Sequence, residues 1–326
     1  MKKKSKKILL ICLITILVVF ILMNVSAALN AYKLTHFSAN AKPLTEGTQL
    51  SAFEKIRFEL LGLDIPRPIA SEYPKHPYKT LKIRVDNNRS LEAWHIRTDS
   101  LKQGIVLLFH GYMDEKSTML QRGEILLDMG YDVLLVDFMG AGGSYGSQTT
   151  IGYLEAENVK AVYDYVLQEM REENIYLLGF SMGAAAITKA QSEYEMYIKG
   201  IILEATYGTF AGTVAARFDR LNVPRFPMAH LVVFFGGVIN GFNPMEANPQ
   251  DYVKNITVPT LVMCGSKDPN ITHEETQMIF DNLMSENKVL KFFPDSAHES
   301  YLKKYPQEWR DVVTSFLDST INEEMY

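Results

Sequence analysis

"IYLLGFSMGAAAITKA" (Ile175 to Ala190) opens as an apolar strand-like run and closes as an alanine-rich helix former. Gly179-Phe180-Ser181-Met182-Gly183 stands at the junction. A buried strand that turns directly into a helix belongs to an open α/β sheet. Four other runs share its character: "GIVLLFHG" from Gly104, "YDVLLVDF" from Tyr131, "IKGIILEA" from Ile198 and "TVPTLVMCG" from Thr257. Each is apolar without alternation, as strands buried on both faces of a parallel sheet are. Helical stretches separate most of them, which predicts a mostly parallel twisted sheet with helices on both faces.

Two alternating runs, "TLKIRVDN" and "LEAWHIRT", precede these and are joined through Asn87-Asn88-Arg89-Ser90, as in a hairpin. One gap breaks the rhythm. Residues 206–256 are far longer than a crossover needs and include "FPMAHLVVFFGGVINGF", which reads as a helical cap over the strand ends. The domain therefore runs over 78–317, with the cap at 206–256 and a short tail at 318–326.

Upstream, "MKKKSKKILLICLITILVVFILMNVSAALN" pairs a basic start with an apolar run of bilayer-spanning length. Residues 1–7 read as a cytoplasmic tail and 8–29 as a transmembrane signal anchor with the domain outside the cell membrane. The alternative is a secreted protein after signal-peptide cleavage, with Ser26, Ala27 and Ala28 as the small-residue cleavage region. Residues 30–77 read as a stem and linker, polar to about 50, then amphipathic through Phe53, Ile56, Leu60 and Leu61, then rich in proline.

The 326 residues carry a net charge of -5, and the five lysines among the first seven residues mask how acidic the rest is. Taking them from 33 basic residues leaves 28 against 38 acidic ones, a balance of -10. Nucleic acid is therefore not an expected partner. Two cysteines, Cys12 and Cys264, make no disulfide framework, and no Cys/His cluster has metal-ligand spacing. No cofactor is expected. Nothing in the sequence sets the oligomeric state.

In such sheets ligands bind beyond the carboxyl ends of the strands, so the residues just after each strand matter most. Ser181 follows one strand, and the elbow it occupies requires small flanks, supplied by Gly179 and Gly183. A serine hydroxyl needs a base. His298, in "VLKFFPDSAHESY", lies in the last loop at that end of the sheet. Of the other histidines, His36 and His76 precede the domain, His95 is within a strand, His230 is in the cap and His273 opens a helix. Asp268, in "GSKDPN", ends another strand and would orient His298, with Glu204 as the second choice. The backbone N–H groups of Met182 and Tyr112 are the expected oxyanion donors, with His110 and Gly111 shaping the Tyr112 loop.

HGY at 110–112, GFSMG at 179–183, GSKDP at 265–269 and SAHES at 296–300 resemble the α/β-hydrolase superfamily. Within it the chain resembles membrane-anchored bacterial serine hydrolases of the serine aminopeptidase and monoglyceride-lipase-like branch. "VDFMGAGGSYGS" stands where that family has Asp-x-Arg-Gly-x-Gly-x-Ser, with Met139 at the arginine position. The resemblance implies hydrolysis of an ester, thioester or amide through an acyl-enzyme, and names no substrate. An apolar acyl or lipid-like small molecule is the expected substrate, and the bilayer the expected partner of the N-terminal helix. The alternatives are an aminopeptidase-like amidase, with Asp219 or Glu246 receiving the amine, an acyltransferase, or a non-catalytic surface binding protein.

Overall fold

The computed structural model describes residues 2–41, 51–220 and 224–322. Parts of the expected stem, cap and tail (42–50, 221–223 and 323–326) lie outside them, as does the side chain of Ile56. A long helix, α1 (Lys2–Thr35), comes first, followed by α2 (Ala52–Leu61). Ser51 caps α2 in a reciprocal capping box with Glu54. The hairpin strands β1 (Tyr78–Arg84) and β2 (Ser90–Ile96) lead into β3 (Gly104–Phe109), α3 (Leu120–Asp128), β4 (Tyr131–Val136) and α4 (Glu155–Gln168). The opening stretch forms β5 (Ile175–Phe180) and α5 (Met182–Glu193), and β6 (Gly200–Glu204) follows. The cap holds α6 (Phe210–Arg220), α7 (Met228–Asn240) and α8 (Pro249–Tyr252). The chain then continues through β7 (Thr260–Gly265), α9 (His273–Asn282), β8 (Lys288–Phe293), α10 (Tyr301–Lys304) and α11 (Pro306–Asn322).

The eight strands form one sheet in the order β1-β2-β4-β3-β5-β6-β7-β8. β2 runs antiparallel to β1 and β4, and the pairs from β4 to β8 are parallel. Apolar side chains leave both faces. Leu108, Val133 and Leu178 meet α3 and α11 on one side, while Leu107, Leu134 and Leu177 meet α4 and α5 on the other. Every residue of β3, β4, β6 and β7 is buried, which is why these strands read as unbroken apolar runs. The register aligns Phe109 with Gly179, and Phe180 with Glu204, so the segments following these strands meet at one edge of the sheet.

Two expectations are corrected. Residues 30–41 are not an unpatterned stem. α1 continues to Thr35 and turns Ala27, Ala31 and Thr35, spaced by one helical turn, into the protein. These small residues let α1 pack closely on α7, whose Ala229, Val232, Val233, Gly236 and Gly237 are buried. Beyond the helix, Phe37 is buried and its N–H donates to Ser147 O (2.7 Å), while Ser38 N–H donates to Ile65 O (2.8 Å). Further along, Arg67 donates to the carbonyl oxygens of Ala141, Gly142, Ser144 and Gly146. The second correction is at the C-terminus. Residues 318–322 complete α11 rather than a tail, with Thr320 buried and 3.0 Å from the Tyr176 hydroxyl.

α1 is long and apolar enough to cross a membrane. Its 34 residues span about 50 Å at 1.5 Å each, more than the ~30 Å of a hydrocarbon core, which leaves length for the docked end.

Candidate active site

Ser181 stands between β5 and α5 with φ 52° and ψ -109°, a conformation that costs a side-chain-bearing residue energy and persists only when its surroundings impose it. The surroundings do so on both sides. Ser181 N–H donates to Glu204 O (2.7 Å), and Ser181 O accepts from Ala185 N–H (3.0 Å) to start the helix. Strand and helix meet too closely for larger flanks. A β-carbon on Gly179 would lie 2.5 Å from the Ala184 nitrogen, and one on Gly183 would lie 2.3 Å from the Phe109 carbonyl oxygen. Gly183→Val should therefore cost about 3 kcal/mol or more, read as a fallen thermal midpoint and a lost soluble yield. A wild-type melting curve for that variant would contradict the tight crossing.

His298 follows β8 and brings Nε2 to 2.9 Å from Ser181 Oγ and Nδ1 to 2.7 Å from Asp268 Oδ2. The Asp268 carboxylate is fully buried, and its other oxygen accepts from Asn270 N–H (2.8 Å) and Ile271 N–H (3.2 Å). The turn that Asp268 caps thus holds the carboxylate that faces His298. The Phe180 ring lies 5.2 Å from the imidazole.

Glu204, the other carboxylate considered for His298, is engaged elsewhere. Completely buried, it accepts from Arg122 at both oxygens (3.0 and 2.5 Å) and from Trp309 Nε1 (2.8 Å). Breaking a buried ion pair from one side leaves an uncompensated charge, so Glu204→Gln should destabilise the protein by about 3–5 kcal/mol. Denaturant unfolding measures this, and an unchanged midpoint would refute it. His110 is structural in the same sense. Its Nε2 accepts from Phe138 N–H (3.1 Å), which leaves Nδ1–H to donate to Gly111 O (2.8 Å). It ties the loops after β3 and β4 together.

Met182 N–H is the first of α5, where no intrahelical acceptor exists. Neither it nor Tyr112 N–H has a hydrogen-bond partner among the described residues. Gly111, Tyr112, Ser181 and His298 line one cavity of about 320 Å³, which Val214, Arg217 and Arg220 of α6 cover. Leu34, at the end of α1, lines it too, and its carbonyl accepts from the Tyr112 hydroxyl (2.7 Å). Leu34, Arg217 and Arg220 are absent from the sequence-based set. For the arginines the available signal was the spacing Thr213, Arg217, Arg220, one face of a helix.

The remaining histidines lie elsewhere. His95 faces Asp132 at 3.6 Å, His230 stacks edge-on with Phe226 on the exposed side of α7, and His273 lies flat on Phe292. The segment with Met139 in the arginine position is held by other charges. Asp137 accepts from Lys116 Nζ (2.5 Å) and Gly143 N–H (3.0 Å), and Arg67, from the segment before β1, donates to Ser144 O. Among the described residues no group of three His, Cys, Asp or Glu side chains is placed to hold a metal ion.

The model for the serine aminopeptidase family S33 matches residues 101–231. The esterase Pf2001 of Pyrococcus furiosus superposes with a TM-score of 0.66 at 27% identity, over 78% of this chain and 96% of that one. The chain has the α/β-hydrolase fold. Among curated relatives is the uncharacterized protein YqkD of Bacillus subtilis. It is 22% identical over 232 residues, which are 70% of this chain and 75% of YqkD. The lysophosphatidylserine lipase ABHD12 of Xenopus tropicalis is 24% identical over 246 residues, 70% of this chain and 61% of the lipase. The match thus spans less than two thirds of that lipase. The resemblance is to esterase- and lipase-like α/β hydrolases.

Proposed function

We propose that this α/β hydrolase is a serine hydrolase that cleaves a carboxylic ester through an acyl-enzyme on Ser181. The observation that carries the reading is the line Asp268 Oδ2, His298 Nδ1, His298 Nε2, Ser181 Oγ, with both contacts at hydrogen-bond length. His298 takes the Ser181 proton as Oγ attacks the carbonyl carbon. The oxygen gains negative charge and is met by the N–H groups of Met182 and Tyr112. His298 then gives its proton to the leaving alkoxide. In the second half it takes a proton from water, hydroxide attacks the acyl carbon, and Ser181 leaves with the proton returned. Asp268 keeps the imidazole in the tautomer that presents Nε2 to the serine.

An ester is favoured over an amide by two observations. The cap acids that would receive a free amine face elsewhere: Asp219 pairs with Arg225, and Glu246 accepts from Asn243. The named relatives with an activity are an esterase and a lipase. Apolar side chains in the cavity (Leu34, Met113, Ile151, Val214 and Ile271) suit an acyl chain. α1 as a signal anchor, with its lysines inside, holds the cavity next to the bilayer from which such an acyl ester comes.

The test is labelling with a fluorophosphonate probe, which marks the wild-type chain and not Ser181→Ala, together with faster turnover of 4-nitrophenyl esters than of aminoacyl-nitroanilides. An unlabelled wild type defeats the serine mechanism. Preference for the anilides returns the amidase reading.

A further inference from the structure

The wall of the cavity opposite the strand ends carries positive charge that ester cleavage itself does not use. Thr213, Arg217 and Arg220 occupy one face of α6, at spacings of four and three residues, and all three line the cavity with Ser181 and His298. Arg217 is half-buried and Arg220 is exposed at the rim. Among the described residues neither guanidinium has an ion pair or a hydrogen bond. Four other arginines of the domain are engaged, Arg89 with Asp86 and Glu157, Arg122 with Glu204, Arg225 with Asp219, and Arg310 with Asp128, while the exposed Arg84, Arg97 and Arg171 are not, among the described residues. Thr213 Oγ1 is buried and also lacks a partner. A buried donor left unmade is costly, and two guanidinium forks beside it form a donor set without an acceptor.

Burial raises the pKa of the Tyr112 phenol, the positive charge of Arg217 opposes that rise, and both residues line the cavity. Asp114 also lines that cavity, and burial raises its pKa. The rest of the domain is acidic and repels anions, so an anionic substrate needs a local basic seat of this kind.

We infer that the ester cleaved at Ser181 carries an anionic group, phosphate or carboxylate, seated on Arg217 and Arg220. The substrate class is then an anionic single-chain amphiphile rather than a neutral glyceride. This rests on the serine-hydrolase reading above, and it adds Arg217 and Arg220 as specificity-determining residues.

The test compares kcat/KM for three oleoyl esters with the full chain in detergent: 1-oleoyl lysophosphatidate, 1-oleoyl glycerate and monooleoylglycerol. Wild type is expected to favour at least one anionic ester over monooleoylglycerol by about 10-fold or more, and which one leads tells phosphate from carboxylate. Arg217→Gln should lower that ratio about 10-fold, chiefly through KM, and Arg217→Lys should keep part of it. A wild type indifferent to the charge, or a ratio unmoved by Arg217→Gln, overturns the inference. Binding of oleoyl lysophosphatidate to Ser181→Ala is read apart from turnover. Charge-dependent binding that weakens with Arg217→Gln supports the seat even if fluorophosphonate labelling fails. Binding indifferent to charge refutes the seat while leaving the serine mechanism standing.

Discussion

Ser181→Ala should lower kcat on 4-nitrophenyl butyrate by about 10⁴-fold or more while leaving the melting curve in place. The two halves of this outcome have different causes. Alanine keeps the β-carbon, so the strained backbone at φ 52° is no worse than before, and the bonds that impose it come from the backbone of Glu204 and Ala185. Only the Oγ is lost, and with it the proposed covalent step. Asp268→Asn should lower kcat by about 10⁴-fold too, because an amide nitrogen facing His298 Nδ1 favours the wrong tautomer. On the proposed mechanism the three groups act as one unit, so Ser181→Ala combined with His298→Ala should be little worse than Ser181→Ala alone. Losses that multiply in the double variant, or near-wild-type turnover by Ser181→Ala, would show that the proposed unit does not exist.

The sheet was legible because burial on both faces leaves a direct trace in residue type. Ile105, Val106, Leu107 and Leu108 have no polar face to alternate with, and the same holds for β4, β6 and β7. Ser181, Asp268 and His298 could be expected near one another because each stands in the segment after a strand of the parallel part of the sheet, and parallel strands end at one edge. What stayed illegible depends on partners far away in the chain. Arg67 looks like any arginine of a proline-rich linker until its four carbonyl acceptors, at 141, 142, 144 and 146, are seen around it. Ala27 and Ala31 were hidden because an apolar helix of spanning length has no polar face to mark which side is docked. Glu204 ends a strand as Asp268 does, and only the position of Arg122, 82 residues earlier, shows that its charge is spent on the core. The Arg217 side of the cavity was missed because an amphipathic cap helix presents arginines to water and to a cavity with the same spacing.

The length of the functional unit follows from those distant contacts. A chain begun at Tyr78, where the strand pattern starts, should fail to reach the folded state of the full protein. One begun at Asn24 should fold. The shorter chain lacks Ala31, Phe37 and Ile65, all buried, and burial of a Phe or Ile side chain contributes about 1.5–3 kcal/mol each. It also lacks Arg67, which leaves the carbonyls of the loop at 141–146 without their charged donor, and Leu34, which leaves the Tyr112 hydroxyl without its acceptor. Charged hydrogen bonds of that kind contribute about 1.5–3 kcal/mol. The sum exceeds about 5 kcal/mol, the lower end of what holds a domain together. The chain begun at Asn24 keeps every one of these contacts and loses none of the buried residues described in α1. Soluble yield and thermal unfolding of the two chains decide the matter. If the chain begun at Tyr78 melts where the one begun at Asn24 does, the docked end of α1 and the segment carrying Arg67 are ornaments on the domain. If it does not, the end of α1 is part of the folded domain, and Leu34 is part of the cavity wall above Ser181.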